Sequence, residues 1–476
     1  MVLKYILQAQ NYMILYFLAV NFFYLFILIC AFIAIIPRYK KIQSERVELL
    51  LTAEGMPSIT IIVPAYNEMT NIVFCVQTLL NLSYRNKKII CVNDGSTDDT
   101  LEIMKSAFKL TRVHPSHGQK IKTTEVKGYY HSLIHENLIV IDKVNGGKPD
   151  SVNAGINATT TDYMLAVDAD SLLDGTELNR LLRYSFTQPE IEGFGASVRV
   201  GNGCTVELWG ITKVDMPKSF LGRIQAVEYL RAFYFGRMGY EYIGGPLIIS
   251  GAFAMYATHV VKAAGGYETN TLAEDMEMVA KYKKYRYEHK QNPKTGFIPE
   301  PACWTEVPEA WRILGKQRTR WQVGTLQIVW MYRKMFFNPK YGVAGMFAYP
   351  YFCLTEVLSP IVEVIGYCTM IVTVILGVNA WQYIFFFFTV TIGVTLMFTV
   401  SCCLIEAWLF RKYNSFKHLW MMLWYALMEN FGYRQMHLFW RLRAYFRIFK
   451  KQSPSVKDMK KTGFTGSSLE GLRREK

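Results

Sequence analysis

Two carboxylates at the end of an apolar run are the first residues from which chemistry can be argued. Tyr163 to Ser171 reads Tyr-Met-Leu-Ala-Val-Asp-Ala-Asp-Ser, a short buried strand that stops on Asp168 and Asp170. Open α/β sheets bind ligands outside the carboxyl ends of such strands. Side chains alternate faces along a strand, so an Asp-x-Asp pair there can aim both carboxylates at one hard cation, Mg2+ or Mn2+. Such a cation completes its shell with water and phosphate oxygens, which points to a nucleoside diphosphate. Alone, Asp-x-Asp also reads as a solvated turn, so its surroundings decide.

Further groups of suitable chemistry stand on either side. Asn145-Gly146-Gly147-Lys148 sets two glycines and a lysine before a helix start, where amides and an ammonium can approach phosphate. The alternative is a turn with a solvated lysine, and the spacing excludes a Walker motif. Thr271 to Glu277 opens a helix with Glu274 and Asp275 in its first turn, either as charges favoured by the helix dipole or as a general base lodged there. In Gln317-Arg318-Thr319-Arg320-Trp321, helical spacing puts Gln317, Arg320 and Trp321 on one face and Arg318 and Thr319 elsewhere. The alternative for that helix is a Trp and Arg anchor in a headgroup layer. Glu356 and Glu363 share a helix face with Pro360 between them, and acids at membrane depth mark a polar pathway unless they face headgroups or cytosol.

The elements that must hold these groups follow from periodicity and punctuation. Ser58 to Val63 is a β-branched strand ending in Pro64-Ala65-Tyr66-Asn67-Glu68, followed by a helix over 71–80. Lys88 to Val92 repeats the pattern and ends in Asn93-Asp94-Gly95-Ser96, with Gly95 permitting a sharp turn. Two strand-loop-helix units in succession predict a doubly wound, mostly parallel α/β sheet. A loop or small excursion from the sheet is expected over 114–135, strands over 137–141 and 193–200, and helices over 177–186, 221–235 and from Thr271 to about Tyr285.

The chain of 476 residues is 51% apolar, and the excess comes in blocks. Tyr12 to Ile36 is uncharged and as a helix reaches about 37 Å, enough to cross a bilayer core of about 30 Å. Phe352 to Val378 and Trp381 to Phe410 are long enough to span twice more, joined by a turn at Asn379. The formal net charge is +15, but the cations flank the apolar blocks at Arg38, Lys40, Lys41, Arg411, Lys412, Lys450, Lys451, Lys460 and Lys461. That pattern marks cytoplasmic margins of spanning helices and argues against nucleic acid as a partner. Nine scattered cysteines show neither a disulfide framework nor metal-ligand spacing. The expected organisation is a membrane helix over 1–40, a cytosolic α/β domain over 57–309, interfacial helices over 310–350, two membrane helices over 351–411, interfacial or re-entrant helices over 412–449 and a mobile basic tail over 450–476.

In this order, Val63-Pro64-Ala65-Tyr66-Asn67-Glu68, Asp94-Gly95-Ser96, Gly147-Lys148 with Asn153, Asp168-Ala169-Asp170, Thr271 to Asp275 and Gln317 to Trp321 resemble the membrane-embedded family 2 glycosyltransferases. That group includes synthases of cellulose, hyaluronan and poly-N-acetylglucosamine. The resemblance covers roughly residues 58 to 325 and implies a GT-A type domain flanked by transmembrane and interfacial helices. It further implies that Pro64, Tyr66, Glu68, Asp94 and Lys148 bind the donor, with Asp94 at the uracil end of a UDP-sugar. Asp168 and Asp170 would hold Mg2+ or Mn2+ on the diphosphate, Asp275 beside Glu274 would be the base, and Gln317, Arg318, Arg320 and Trp321 would cover diphosphate and acceptor. Ala273-Glu274-Asp275 is closer to the Thr-Glu-Asp of cellulose and poly-N-acetylglucosamine synthases than to the Gly-Asp-Asp of hyaluronan synthases. Two departures are one span ahead of the domain where many relatives have two or more, and a tail too short for a cyclic-dinucleotide-binding domain. The implied reaction is inverting transfer from a UDP-sugar to a growing β-linked glycan, processive and threaded through the membrane, with export or accessory proteins as further partners. Rival readings are a single transfer to a membrane lipid and a non-catalytic glycan-binding scaffold.

Overall fold

The computed structural model describes residues 2–44, 55–114, 118, 120–208, 210–244, 246–377 and 381–449. The expected turn at Asn379 and the tail over 450–476 lie outside them. The chain divides into two compact units, an α/β unit and a helical unit.

Among the described residues the α/β unit contains twelve strands: β1 (Ile59–Ala65), β2 (Lys87–Asn93), β3 (Leu110–Val113), β4 (Val126–Ser132), β5 (Leu138–Lys143), β6 (Tyr163–Ala166), β7 (Ser171–Leu173), β8 (Ile191–Val200), β9 (Thr205–Glu207), β10 (Gly210–Lys213), β11 (Ala254–Ala257) and β12 (Lys294–Thr305). Ten form one sheet in the order β3-β4-β5-β2-β1-β6-β11-β8-β12-β7, while β9 and β10 form a separate hairpin. The centre is parallel, with β1 registered against β2 from Ile59↔Lys87 to Ala65↔Asn93 and against β6 from Ile59↔Tyr163 to Ile62↔Ala166. These strands carry almost unbroken runs of Ile, Val and Leu because helices cover both faces, so neither face can be polar. Ile61, Ile62, Ile89, Val92, Ile141 and Leu165 are all fully buried.

Parallel strands put their carboxyl ends on one side, so Asn93 of β2, Lys143 of β5 and Val167 after β6 deliver their loops to the same edge. Within residues 114–135, Val126–Ser132 adds an antiparallel strand between β3 and β5. One local expectation is corrected. Asp168 and Asp170 do not prolong β6: the Ser171 amide donates to the Asp168 carbonyl at 2.9 Å, closing a tight turn between β6 and β7.

The helical unit gathers the first helix, the segment from Arg223 and the chain from Pro308 onward. Residues 223 to 244 therefore group with the membrane-type helices rather than inside a continuous 57–309 domain. Two described helices are long and apolar enough to cross a bilayer, Gln10–Pro37 and Ala344–Ile375. They meet through buried polar contacts, Gln10 Nε2 to Thr373 Oγ1 at 3.0 Å and the Tyr16 hydroxyl to the Leu354 carbonyl at 2.7 Å. The third expected span is assembled from Trp381–Phe388, a π-turn over Thr389–Gly393 and Val394–Ile405, and its apolar part over Val394–Phe410 is shorter. The stretch read as interfacial or re-entrant forms helices Phe416–Met428 and Tyr433–Phe449.

Candidate active site

The loops at the carboxyl edge of the parallel strands bring together residues more than 100 positions apart. Lys148 opens the helix Lys148–Ala158 and extends its ammonium to 2.6 Å from Asp168 Oδ1, 3.5 Å from Glu274 Oε1 and 3.2 Å from the Gly251 carbonyl. The same Gly251 donates its amide to Asp275 Oδ2 at 3.1 Å. An ideal Cβ at 251 would stand 3.4 Å from Asp275 and from the Lys148 ammonium, in van der Waals contact with both. Asp275 lies in the first turn of the helix Glu274–Glu288, where anions are favoured, and Oδ1 also accepts the Met276 amide at 2.8 Å. Lys148, Asp168, Glu274 and Asp275 thus form one cluster.

Burial alone would lower the Lys148 pKa, but the neighbouring carboxylates of Asp168, Glu274 and Asp275 outweigh it and hold the group above the usual lysine range. Burial first, with the fields of Asp168 and Asp170 adding to it, pushes the Cys303 thiol pKa up and keeps the thiol protonated.

Asp168 and Asp170 fit a divalent ion by donor chemistry: hard carboxylate oxygens, both half-buried, one already facing a cation in the Lys148 ammonium. Among the described residues no group of three or more His, Cys, Asp or Glu side chains can hold a metal. An ion on these two carboxylates would take its remaining ligands from water and phosphate.

Asp94, expected near a nucleobase, is buried at the end of β2 and is itself held in place. Its Oδ1 accepts from Lys143 Nζ at 2.8 Å and from the Gly146 amide at 2.9 Å, and Oδ2 from the Gly147 amide at 2.8 Å. Gly95 adopts φ +64°, and a Cβ there would stand 2.8 Å from the Asn145 amide nitrogen, so the two loops close only over glycine. Pro64 continues β1 opposite Val92, and Tyr66 is half-buried just beyond it. Glu68 is buried where a helix begins: its carbonyl accepts from the amides of Asn71 and Ile72, and its own amide donates to Thr100 Oγ1 at 2.9 Å.

Two contributors went unassigned in the sequence. Asn153 clamps the backbone of Tyr267, donating from Nδ2 to its carbonyl and accepting its amide at Oδ1, both at 2.8 Å. It thereby ties the helix that starts at Lys148 to the segment leading into Glu274 and Asp275. Lys143, whose side chain is completely buried, sits between Asp94 and Asp150. An ionisable residue closing the apolar run Leu138 to Ile141 was the available signal.

The Gln-Arg-Thr-Arg-Trp motif belongs to the helical unit, on the helix Trp311–Met331. Arg318 and Thr319 turn inward, as helical spacing predicted. Arg318 Nη2 pairs with Glu228 Oε2 at 2.7 Å, Tyr433 donates to the same oxygen at 2.8 Å, and the guanidinium lies over the Trp321 ring. Arg318 is therefore tied into the packing of this unit. Gln317 Oε1 and Arg320 Nε are buried and without a hydrogen-bond partner among the described residues, and Trp321 is partly exposed. Glu356 and Glu363 are both paired, with Arg441 at 3.0 Å and Arg434 at 3.3 Å.

A doubly wound sheet carrying acids and a lysine at its carboxyl edge is the architecture of GT-A type nucleotide-sugar transferases. The fold overlays on a mannosyltransferase from Pyrobaculum calidifontis, solved in complex with GDP-Man and Mn2+, with a TM-score of 0.50 and 15% identity over 91% of this chain and all of that one. Residues 60–262 match glycosyl transferase family 2, residues 163–433 match glycosyl transferase family group 2, and the latter match covers more than half of the chain. The chain belongs to the family 2 glycosyltransferases. Among curated proteins it is similar to poly-beta-1,6-N-acetyl-D-glucosamine synthase of Staphylococcus epidermidis, 26% identical over 276 residues, and to that of Staphylococcus aureus strain COL, 25% identical over 280 residues. These matches cover 58% and 59% of this chain, which spans only 56% and 57% of the relatives' own length.

Proposed function

We propose that this chain is a membrane-bound, inverting transferase that moves a sugar, in first place N-acetylglucosamine, from a UDP-sugar onto a growing β-linked glycan. The observation that carries the reading is the cluster of Lys148, Asp168, Glu274 and Asp275, assembled from three separate loops at one sheet edge. One-step displacement at an anomeric carbon needs a base on the acceptor side and positive charge on the leaving-group side. Asp275, fixed by the Gly251 and Met276 amides, takes the acceptor hydroxyl proton as that oxygen attacks. Lys148 orients the diphosphate and balances its charge. Asp168 and Asp170 would hold Mg2+ or Mn2+, which when bound supplies further charge neutralisation to the departing diphosphate. Asp94 borders the nucleoside end through the loop that it anchors. The names of the staphylococcal relatives support the sugar and the polymer.

The two apolar helices support a bilayer as partner, and the cations at Arg38, Arg411 and Lys412 support a cytosolic catalytic unit. Arg441–Glu356 and Arg434–Glu363 are charge pairs within the helical unit, and we assign them to a polar route for the product. Gln317, Arg320 and Trp321 are assigned to the acceptor by the motif they form. The test is product analysis with the protein in lipid, supplied in turn with UDP-N-acetylglucosamine, UDP-glucose and UDP-glucuronate, with and without EDTA. A ladder of products from one donor, lost with EDTA and restored by Mn2+ or Mg2+, is expected. A lone sugar on lipid contradicts polymerisation, and no turnover of any donor contradicts the transferase reading.

A further inference from the structure

We infer that Lys143 is a positioning residue of the donor site, a buried ammonium that sets the loop presenting Lys148 by holding Asp94 and Asp150 together. Lys143 closes β5, and its side chain is completely buried. Its ammonium donates to Asp94 Oδ1 and to the Val144 carbonyl, each at 2.8 Å, and stands 2.6 Å from Asp150 Oδ2 in an ion pair. It touches no part of the cluster around Asp275, so anything it does for a donor passes through its two acids.

Those acids control the loop from both ends. Asp94 accepts the amides of Gly146 and Gly147, the two residues immediately before Lys148. Asp150 lies two residues after Lys148, in the first turn of the same helix, and also accepts the Thr124 amide at 3.2 Å and the Thr124 hydroxyl at 2.9 Å. The loop from Asn145 to Asp150 is pinned on both sides of Lys148, and the pins meet at one buried ammonium. Without that charge two buried carboxylates face each other, an arrangement relieved by separating them or protonating one. Either response releases the Gly146 and Gly147 amides and shifts the Lys148 ammonium from its place 2.6 Å from Asp168.

The consequence for donor affinity rests on the function proposed above, whereas the consequence for the loop does not, so two readouts are used. In Lys143→Met we expect amide hydrogen exchange over residues 145–150 to rise at least tenfold while the central strands stay protected. The KM for the UDP-sugar should rise tenfold or more with kcat changed less than threefold. Lys143→Met/Asp150→Asn restores the buried charge balance without the ammonium, so it should recover thermal stability yet keep the raised KM and the fast exchange. Should the single variant fail to fold, the double variant decides. Native exchange over 145–150 in a folded variant overturns the inference, as does a double variant with wild-type KM, since Lys143 would then serve charge balance alone. A wild-type protein without UDP-sugar turnover defeats the proposed function and leaves the exchange arm to judge Lys143.

Discussion

Replacing Lys148 by Met should move two affinities in opposite directions. Its ammonium pairs with Asp168 at 2.6 Å, with both side chains about one third exposed, and reaches Glu274 at 3.5 Å. A charge-assisted contact contributes roughly 1.5–3 kcal/mol, and partial solvent access argues for the low end, about 1.5 kcal/mol or roughly tenfold. A cation entering at Asp168 must compete with that ammonium. Loss of Lys148 should therefore tighten Mn2+ binding to the donor-free protein by about tenfold and weaken UDP binding at saturating Mn2+ by about tenfold. The assay is Mn2+ titration followed by electron paramagnetic resonance, with UDP titration by calorimetry. The sign with pH is also fixed. The folded pKa of Lys148 lies above its ordinary 10.5, so its charge is fully present below that value and is lost only as pH rises through the higher folded one. The difference between wild type and variant should hence stay constant from pH 6 to 9. Mn2+ affinity that falls, or UDP affinity that does not change, refutes the placement of Lys148 between metal and diphosphate.

Asn153→Ala removes both hydrogen bonds to the Tyr267 backbone, and a loss of about 2 kcal/mol in stability is expected, with kcat reduced more than UDP affinity; melting curves and steady-state kinetics check it. Arg318→Met strands Glu228 in the helical unit and should cost about 3–5 kcal/mol, whereas Arg318→Met/Glu228→Met should cost distinctly less, as read from melting in detergent. Burial lowers the Lys283 pKa from 10.5 to about 7, so the unfolded chain binds more protons between those values and stability should rise as pH climbs from about 7. Lys283→Met should raise the melting temperature at pH 7 and flatten its rise to pH 9.

The parts legible in sequence were those with local causes. Ile59 to Val63, Lys88 to Val92 and Tyr163 to Ala166 declare themselves as buried parallel strands because both faces need apolar side chains. The strand Val126–Ser132 stayed hidden because Tyr129, Tyr130 and His131 are only half-buried, leaving no clean alternation to read. Residues 223 to 244 look like any aromatic-rich helix, and the partners of Arg231, namely Thr399 and Glu429, lie more than 160 positions onward. Asp168, Asp170, Glu274 and Asp275 stood out as candidates because Asp-x-Asp and Glu-Asp are compact motifs. Asn153 was named only within the motif it shares with Lys148, and Lys143 not at all, since a lysine 49 residues from one of its acids and an amide 114 residues from its clamp leave no spacing to recognise. The pairing of Arg318 with Glu228, 90 residues upstream, is hidden for the related reason.

The central claim is that Asp275 is the base of a donor site shared with Lys148 and Asp168, and Asp275→Asn tests it most directly. The change is nearly isosteric, and the remaining carbonyl oxygen keeps one of the two amide bonds that Asp275 accepts on separate oxygens from Gly251 and Met276, so UDP binding at saturating Mn2+ should stay within about threefold of wild type. A general base contributes about 100- to 10,000-fold. UDP release from the UDP-sugar should therefore fall by at least about 100-fold in the variant. Release at the wild-type rate, with binding intact, would contradict the claim.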